Sequence, residues 1–207
     1  EDSLEDHEKT LISVVRVALI DTDVDVRDAA AEAFDNMQHM FGKRAVDQVL
    51  PYLLNLLRTP DEAENALNAL LTLLEDTTRS NIILPNLLPT LVQSPMSSFN
   101  ARALASLASV AGRAMTRRLS TVINAFVKNI VETKDEYLKN EIETSLDTVL
   151  QSIDEDDGLN NMIAIMFELL KSRHASTRAV AGRHLATFFK DTEIDYSNYN
   201  ANIIRNL

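Results

Sequence analysis

A pattern of one small residue followed by two large ones recurs along the chain at helical spacing, at Ala30, Phe34, Met37, then Ala66, Leu70, Leu73, then Ala103, Leu107, Val110, and again at Ala181, Leu185, Phe188. A degenerate copy stands at Ile142, Leu146, Val149, so the first positions lie 36, 37, 39 and 39 residues apart. Five copies at nearly constant spacing define a repeat, and a period in this range belongs to stacked helical units. The small residue marks close helix contact. Ahead of each copy the sequence supplies a first helix. Leu50, Pro51, Leu53, Leu54 and Leu88, Pro89, Leu91 are the clearest, each placing proline in a first turn and each running into a short turn at Thr59-Pro60 or Ser94-Pro95. In the fourth unit Leu119, Val122, Ile123, Phe126, Val127 and Ile130 make one apolar stripe at helical period. Such a face has to be buried against neighbours, since each side chain contributes about 1.5–3 kcal/mol when covered.

Composition supports helices over the alternatives. Only 4 Gly and 5 Pro among 207 residues leave too few breakers for sandwiches, barrels or glycine-loop nucleotide folds. The absence of Cys removes disulfide frameworks and thiolate metal sites, and no glycosylation sequon occurs, so an intracellular, cytoplasmic setting is expected. No apolar run approaches membrane-spanning length, and the acidic opening from Glu1 to Glu8 is unlike a secretory peptide.

Among helical repeats, an aspartate-bearing turn followed by Val-Arg at the start of the second helix is the HEAT pattern, carried here by Asp21, Asp23, Val26 and Arg27. Arg27 recurs only as Arg178. Asp21, Asp23, Arg27 and Arg178 are therefore expected to be structural repeat residues, each arginine pairing with a turn aspartate of the next repeat. The expected fold is all-α, a right-handed α-solenoid of about five HEAT repeats at about 8–42, 43–76, 77–112, 113–153 and 154–190. The first helix of a sixth, over 191–207, completes a single array spanning 1–207. The chain begins without Met and ends after a first helix, as a segment of a longer array would.

Three stretches carry a more specific likeness. They are Val26-Arg27-Asp28-Ala29-Ala30-Ala31-Glu32-Ala33-Phe34-Asp35-Asn36, Leu50-Pro51-Tyr52-Leu53-Leu54, and Ala105-Ser106-Leu107-Ala108-Ser109-Val110-Ala111-Gly112 with Arg117 and Leu119 behind it. Over most of residues 12 to 190 the chain resembles the general control non-derepressible protein one family. These are very large eukaryotic HEAT proteins that associate with ribosomes and coactivate the kinase that phosphorylates initiation factor two alpha. The resemblance thins after Asp191. It implies a non-catalytic scaffold segment of a translation-stress regulator acting in amino-acid starvation. The implied partners are the ribosome, through ribosomal RNA or protein, and RWD-domain proteins including the kinase. The segment implied lies beside, or at the start of, the family's RWD-binding region. No position here matches the family's RWD-contacting arginine, which the resemblance places beyond Leu207.

Charge is segregated. The overall balance of -11 disfavours whole-surface attraction to nucleic acid or anionic lipid. Yet residues 77–131 contain no acid, where an even spread would place about eight, and hold Arg79, Arg102, Arg113, Arg117, Arg118 and Lys128. A second acid-free window, 171–190, holds Lys171, Arg173, Arg178, Arg183 and Lys190. Extended through the fourth unit, helical spacing puts Arg113, Arg117 and Lys128 together opposite the apolar stripe, with Thr121 and Asn124 between them. One reading is a docking strip for ribosomal RNA phosphates or an acidic partner, with Arg102, Arg118, Arg173 and Arg183 as further partner-binding candidates. The other is a solvated face paired with acids of a neighbouring repeat.

Catalytic and metal patterns are missing. Asp154-Glu155-Asp156-Asp157-Gly158 fails as a calcium loop because Leu159 and Ile165 stand where Gly and Glu are required; it reads as a solvated linker whose last acid caps a helix starting near Gly158. His7, His39, His174 and His184 show no ligand spacing. No P-loop, G-x-S-x-G or Cys nucleophile occurs, and Met37, Met162, Met166 and Phe188 sit at core spacing. No enzyme activity, cofactor, metal, membrane or small-molecule substrate is expected. The rival functions are a karyopherin-like transport adaptor and, behind it, a HEAT-fold DNA glycosylase, whose base extrusion needs aromatics and a carboxylate in a basic channel.

Overall fold

The computed structural model describes the backbone of residues 2–206 and the side chains of 7–201 and 203–205. Within it are twelve α-helices and one short 3-10 turn: α1 Asp2–Leu19, α2 Val24–Phe41, α3 Lys43–Leu56, α4 Ala63–Leu74, α5 Thr77–Leu91, α6 Ser98–Ala111, α7 Arg113–Thr116, α8 Leu119–Glu132, α9 Glu136–Gln151, α10 Asp156–Leu170, α11 Ala175–Asp191 and α12 Asn200–Asn206. They fall into two compact units, Glu1–Leu87 and Leu88–Leu207, with α5 running through the junction.

Local chemistry starts the helices where polar residues stand. Asp23 accepts from the N–H of Asp25 at 2.9 Å and caps α2. Ser97 does the same for α6 through Asn100, and Asp135 for α9 through Tyr137 and Leu138. Asp76 accepts from Thr78 and Arg79 at the head of α5, and the Arg79 N–H holds its carboxyl below the ordinary carboxylate range. Gly42 and Gly112 take φ of +57° and +48° and turn the chain from α2 into α3 and from α6 into α7.

In the first unit α1 packs on α2 and α3, and α2 on α3 and α4. First helix stacks on first and second on second. The second unit repeats the arrangement, with α6, α9 and α11 in a row of second helices and α8 against α10 in the row of first helices. Stacked hairpins of this kind are the α-solenoid solution to burying a half-naked repeat. Phe34, Met37, Leu70, Leu73, Leu107, Ile142, Leu146, Val149, Leu185 and Phe188 are all buried, as is the whole stripe from Leu119 to Ile130. Val110 departs from the pattern, being 37% exposed, while Ala108 and Ala111 beside it are buried.

Three boundaries differ from those expected. Pro51 lies deep inside α3, which begins at Lys43, and Pro89 lies near the end of α5. The expected first-turn placement is wrong there. Pro51 is exposed while Val49, Leu50 and Leu53 are buried, so packing of the opposite face carries the helix through the lost backbone bond. The helix expected near Gly158 begins at Asp156, with Asp156 and Asp157 in its first turn. Their negative charge suits that end of the helix dipole.

Candidate functional site

Arg27 does not reach the next repeat. Its Nη1 donates to the carbonyls of Asp21 at 3.0 Å and Thr22 at 3.1 Å, closing its own turn. Arg178 reproduces this with the carbonyls of Ser172 at 2.8 Å and Arg173 at 3.2 Å. Asp21, in turn, accepts from the Asp23 N–H at 2.8 Å, so these residues shape their own turn. The geometry follows from position: an arginine in the first turn of a second helix lies beneath the carbonyls five and six residues back.

Repeats of the second unit are tied by side chains the charge count overlooked. Arg113 donates to Glu155, and Thr116 Oγ1 donates to the other carboxylate oxygen at 2.8 Å. The Thr116 hydrogen bond, reinforced by the Arg113 guanidinium, holds Glu155 below the usual carboxylate range, and Glu155 in turn raises Arg113. Asn161 Nδ2 donates to the Thr116 carbonyl at 2.7 Å. One repeat further, Arg183 pairs with Glu143 at 2.7 Å and His184 Nδ1 lies 2.6 Å from Asp147. Asn129, buried in α8, accepts from the Met96 N–H at 2.8 Å and from Ser94 Oγ at 3.1 Å while donating to the Ala125 carbonyl. In the first unit Arg79 is turned inward, its side chain 13% exposed, with Nε 3.5 Å from Asp35.

The expected strip of Arg113, Arg117 and Lys128 is therefore corrected. The chain breaks at Arg117 and Arg118, between α7 and α8, so one helical wheel does not run through all three. Arg113 is spent on Glu155 and Arg183 on Glu143, while Arg102 lies over the Phe99 ring at 5.9 Å. Arg117, Lys128 and Arg173 are exposed and Arg118 is half-buried; among the described residues these four form no ion pair. Unit 1 carries 17 acidic and 7 basic residues, unit 2 carries 14 and 13, so the acidic excess lies almost wholly in the first. The four cations sit in the nearly neutral unit.

Those described residues include no group of three His, Cys, Asp or Glu able to hold a metal ion, and no helix long and apolar enough to cross a membrane. Hairpins stacked like on like, with arginines that close the turns ahead of second helices, define an α-helical repeat scaffold of the HEAT kind. A family model described as "Stalled ribosome sensor GCN1-like, HEAT repeats" matches residues 83–207, and the chain belongs to that family. It is 40% identical over 98% of its length to the eIF-2-alpha kinase activator GCN1 of Saccharomyces cerevisiae, of which it covers 8%. The protein of the same name in Dictyostelium discoideum is 33% identical over 87% of the chain, and the stalled ribosome sensor GCN1 of Homo sapiens 30% over 96%. Each of these two is covered to 7% of its own length, so the chain spans under a tenth of such relatives. Those relatives are named as kinase activators and a ribosome sensor, not as transport adaptors or glycosylases.

Proposed function

We propose that this chain is a non-catalytic scaffold segment of a cytoplasmic translation-stress regulator, one that engages ribosomes and promotes activation of the initiation factor two alpha kinase in amino-acid starvation. The observation that carries this reading is the family match over residues 83–207, with relatives named for kinase activation and for sensing stalled ribosomes. RWD-domain proteins, the kinase among them, are the second partner class. Arg117, Arg118, Lys128 and Arg173 are the cations available for docking, since their charge is not consumed inside the fold. The test is a chimaera of the S. cerevisiae relative in which this chain replaces the matching segment. Phosphorylation of initiation factor two alpha on starvation should rise as in the parent. A chimaera expressed at the parental level but as inactive as a deletion of the segment refutes the reading.

A further inference from the structure

Two open clefts in the second unit, about 410 and 510 Å³, share Asn124 and Leu169 and so form one groove along α8 and α10. Ser120, Asn124 and Lys128 line its α8 wall at four-residue intervals, on one face of the helix. Opposite stand Ser172, His174, Ser176 and Thr177, from the end of α10 to the start of α11. We infer that this groove binds the phosphodiester backbone of RNA; the inference rests on the ribosome-engaging reading above and names the ligand.

Charge is the first support. Lys128 lines the groove, Arg173 lies in sequence between the lining residues Ser172 and His174, and Arg117 stands three residues ahead of Ser120. None of the three cations is neutralised by an ion pair among the described residues. Of the two lining carboxylates, Glu168 is paired with Lys171 at 3.5 Å, and Glu132 sits at the end of α8. Spacing is the second. Side chains four residues apart on a helix are about 6 Å apart along its axis, the scale of successive phosphates in a nucleic-acid strand. The hydroxyls of Ser120, Ser172, Ser176 and Thr177 and the Asn124 amide, which line the groove with Lys128, suit phosphate oxygens, which accept from neutral donors as well as charged ones. The third is what lines the groove: it contains no Phe, Tyr or Trp, and the single imidazole of His174 makes no platform for successive bases, so contact is to backbone and independent of sequence. An acidic peptide would find the same cations but has no fixed charge spacing to match the wall.

The experiment is anisotropy of a labelled, unstructured RNA of about 16 nucleotides with the 207-residue chain between 50 and 200 mM salt. Three phosphate contacts give a log–log salt slope of about -2, hence about a 20-fold loss of affinity over that range. The Lys128→Glu/Arg173→Glu variant should weaken binding at low salt and lose only about three-fold over the range. Asn124→Leu, which leaves charge alone, should weaken binding without changing the slope, and Lys43→Glu in the first unit should change nothing. Circular dichroism melting confirms that each variant is folded. RNA binding that is absent, or unaltered in the double variant, overturns the groove, as does a preference for polyglutamate over RNA. If the folded double variant still pellets with ribosomes as the parent does, the groove is refuted and the ribosome reading stands. Failure of the parent to pellet refutes that reading itself.

Discussion

Arg113 of α7 donates to Glu155 at the head of α10, joining the fourth and fifth hairpins across 42 residues of sequence. With Thr116 on the second carboxylate oxygen, Glu155 is pre-set in its ionised form, its folded pKa below the ordinary value. A carboxyl whose pKa is depressed by folding contributes stability above the unfolded value, near 4.3, and loses it as pH falls through the folded one.

Glu155→Ala is therefore expected to cost about 1 kcal/mol at pH 7, the modest value reflecting the exposed Arg113 side of the pair. The gap between variant and parent should persist to about pH 5 and close below pH 4. Urea midpoints across that range check it. A gap independent of pH would show that Glu155 acts through packing alone.

Arg178 and Arg173, five residues apart, should separate cleanly. Arg178→Ala removes two charge-assisted hydrogen bonds to turn carbonyls and should cost about 1.5–3 kcal/mol. Arg173→Ala should leave the melting temperature unchanged, because only its backbone carbonyl is used. Equal effects on thermal melting would contradict the turn-closing geometry.

Two glycines predict opposite signs. A Cβ on Gly158 would lie 2.9 Å from Ile153 Cγ2, close to a branched and buried side chain, so Gly158→Ala should destabilise by about 1–3 kcal/mol. On Gly182 the nearest atom is Leu170 Cδ2 at 3.6 Å, an ordinary contact. Gly182→Ala, inside α11, should instead gain up to about 1 kcal/mol from helix propensity. Chemical denaturation of both variants measures the pair.

Asn129→Ala would leave the buried Met96 N–H without its acceptor, and is expected to cost about 1–3 kcal/mol. Asn124→Ala, one turn and a residue earlier and exposed, bonds only within α8 to Ser120 and should be nearly silent. Thermal melting of the two substitutions tells them apart.

What was legible in the sequence was what depends on near neighbours. The 119–130 stripe, the aspartate-bearing turn ahead of Val26 and Arg27 and the repeat of small and large residues are all set by spacings within a few turns. Arg27 was recognised as a repeat residue from its motif, but its partner was not, because the carbonyls it closes on carry no side-chain signature. Arg113 was misplaced for a different reason. Extrapolating one helical wheel from Leu119 back to Arg113 passes through Arg117 and Arg118, where the helix is interrupted. Its pairing with Glu155 depends on how two hairpins stack, which periodicity within either one does not encode. The groove between α8 and α10 was hidden likewise, since its two walls are about 40 residues apart in the chain.

The most direct test of the account is co-sedimentation of the chain with ribosomes at low and moderate salt. Pelleting that is strong at low salt and falls steeply as salt rises is the predicted result, as expected when cations replace counterions on RNA. A folded chain that stays in the supernatant at every salt concentration would contradict ribosome engagement by this segment.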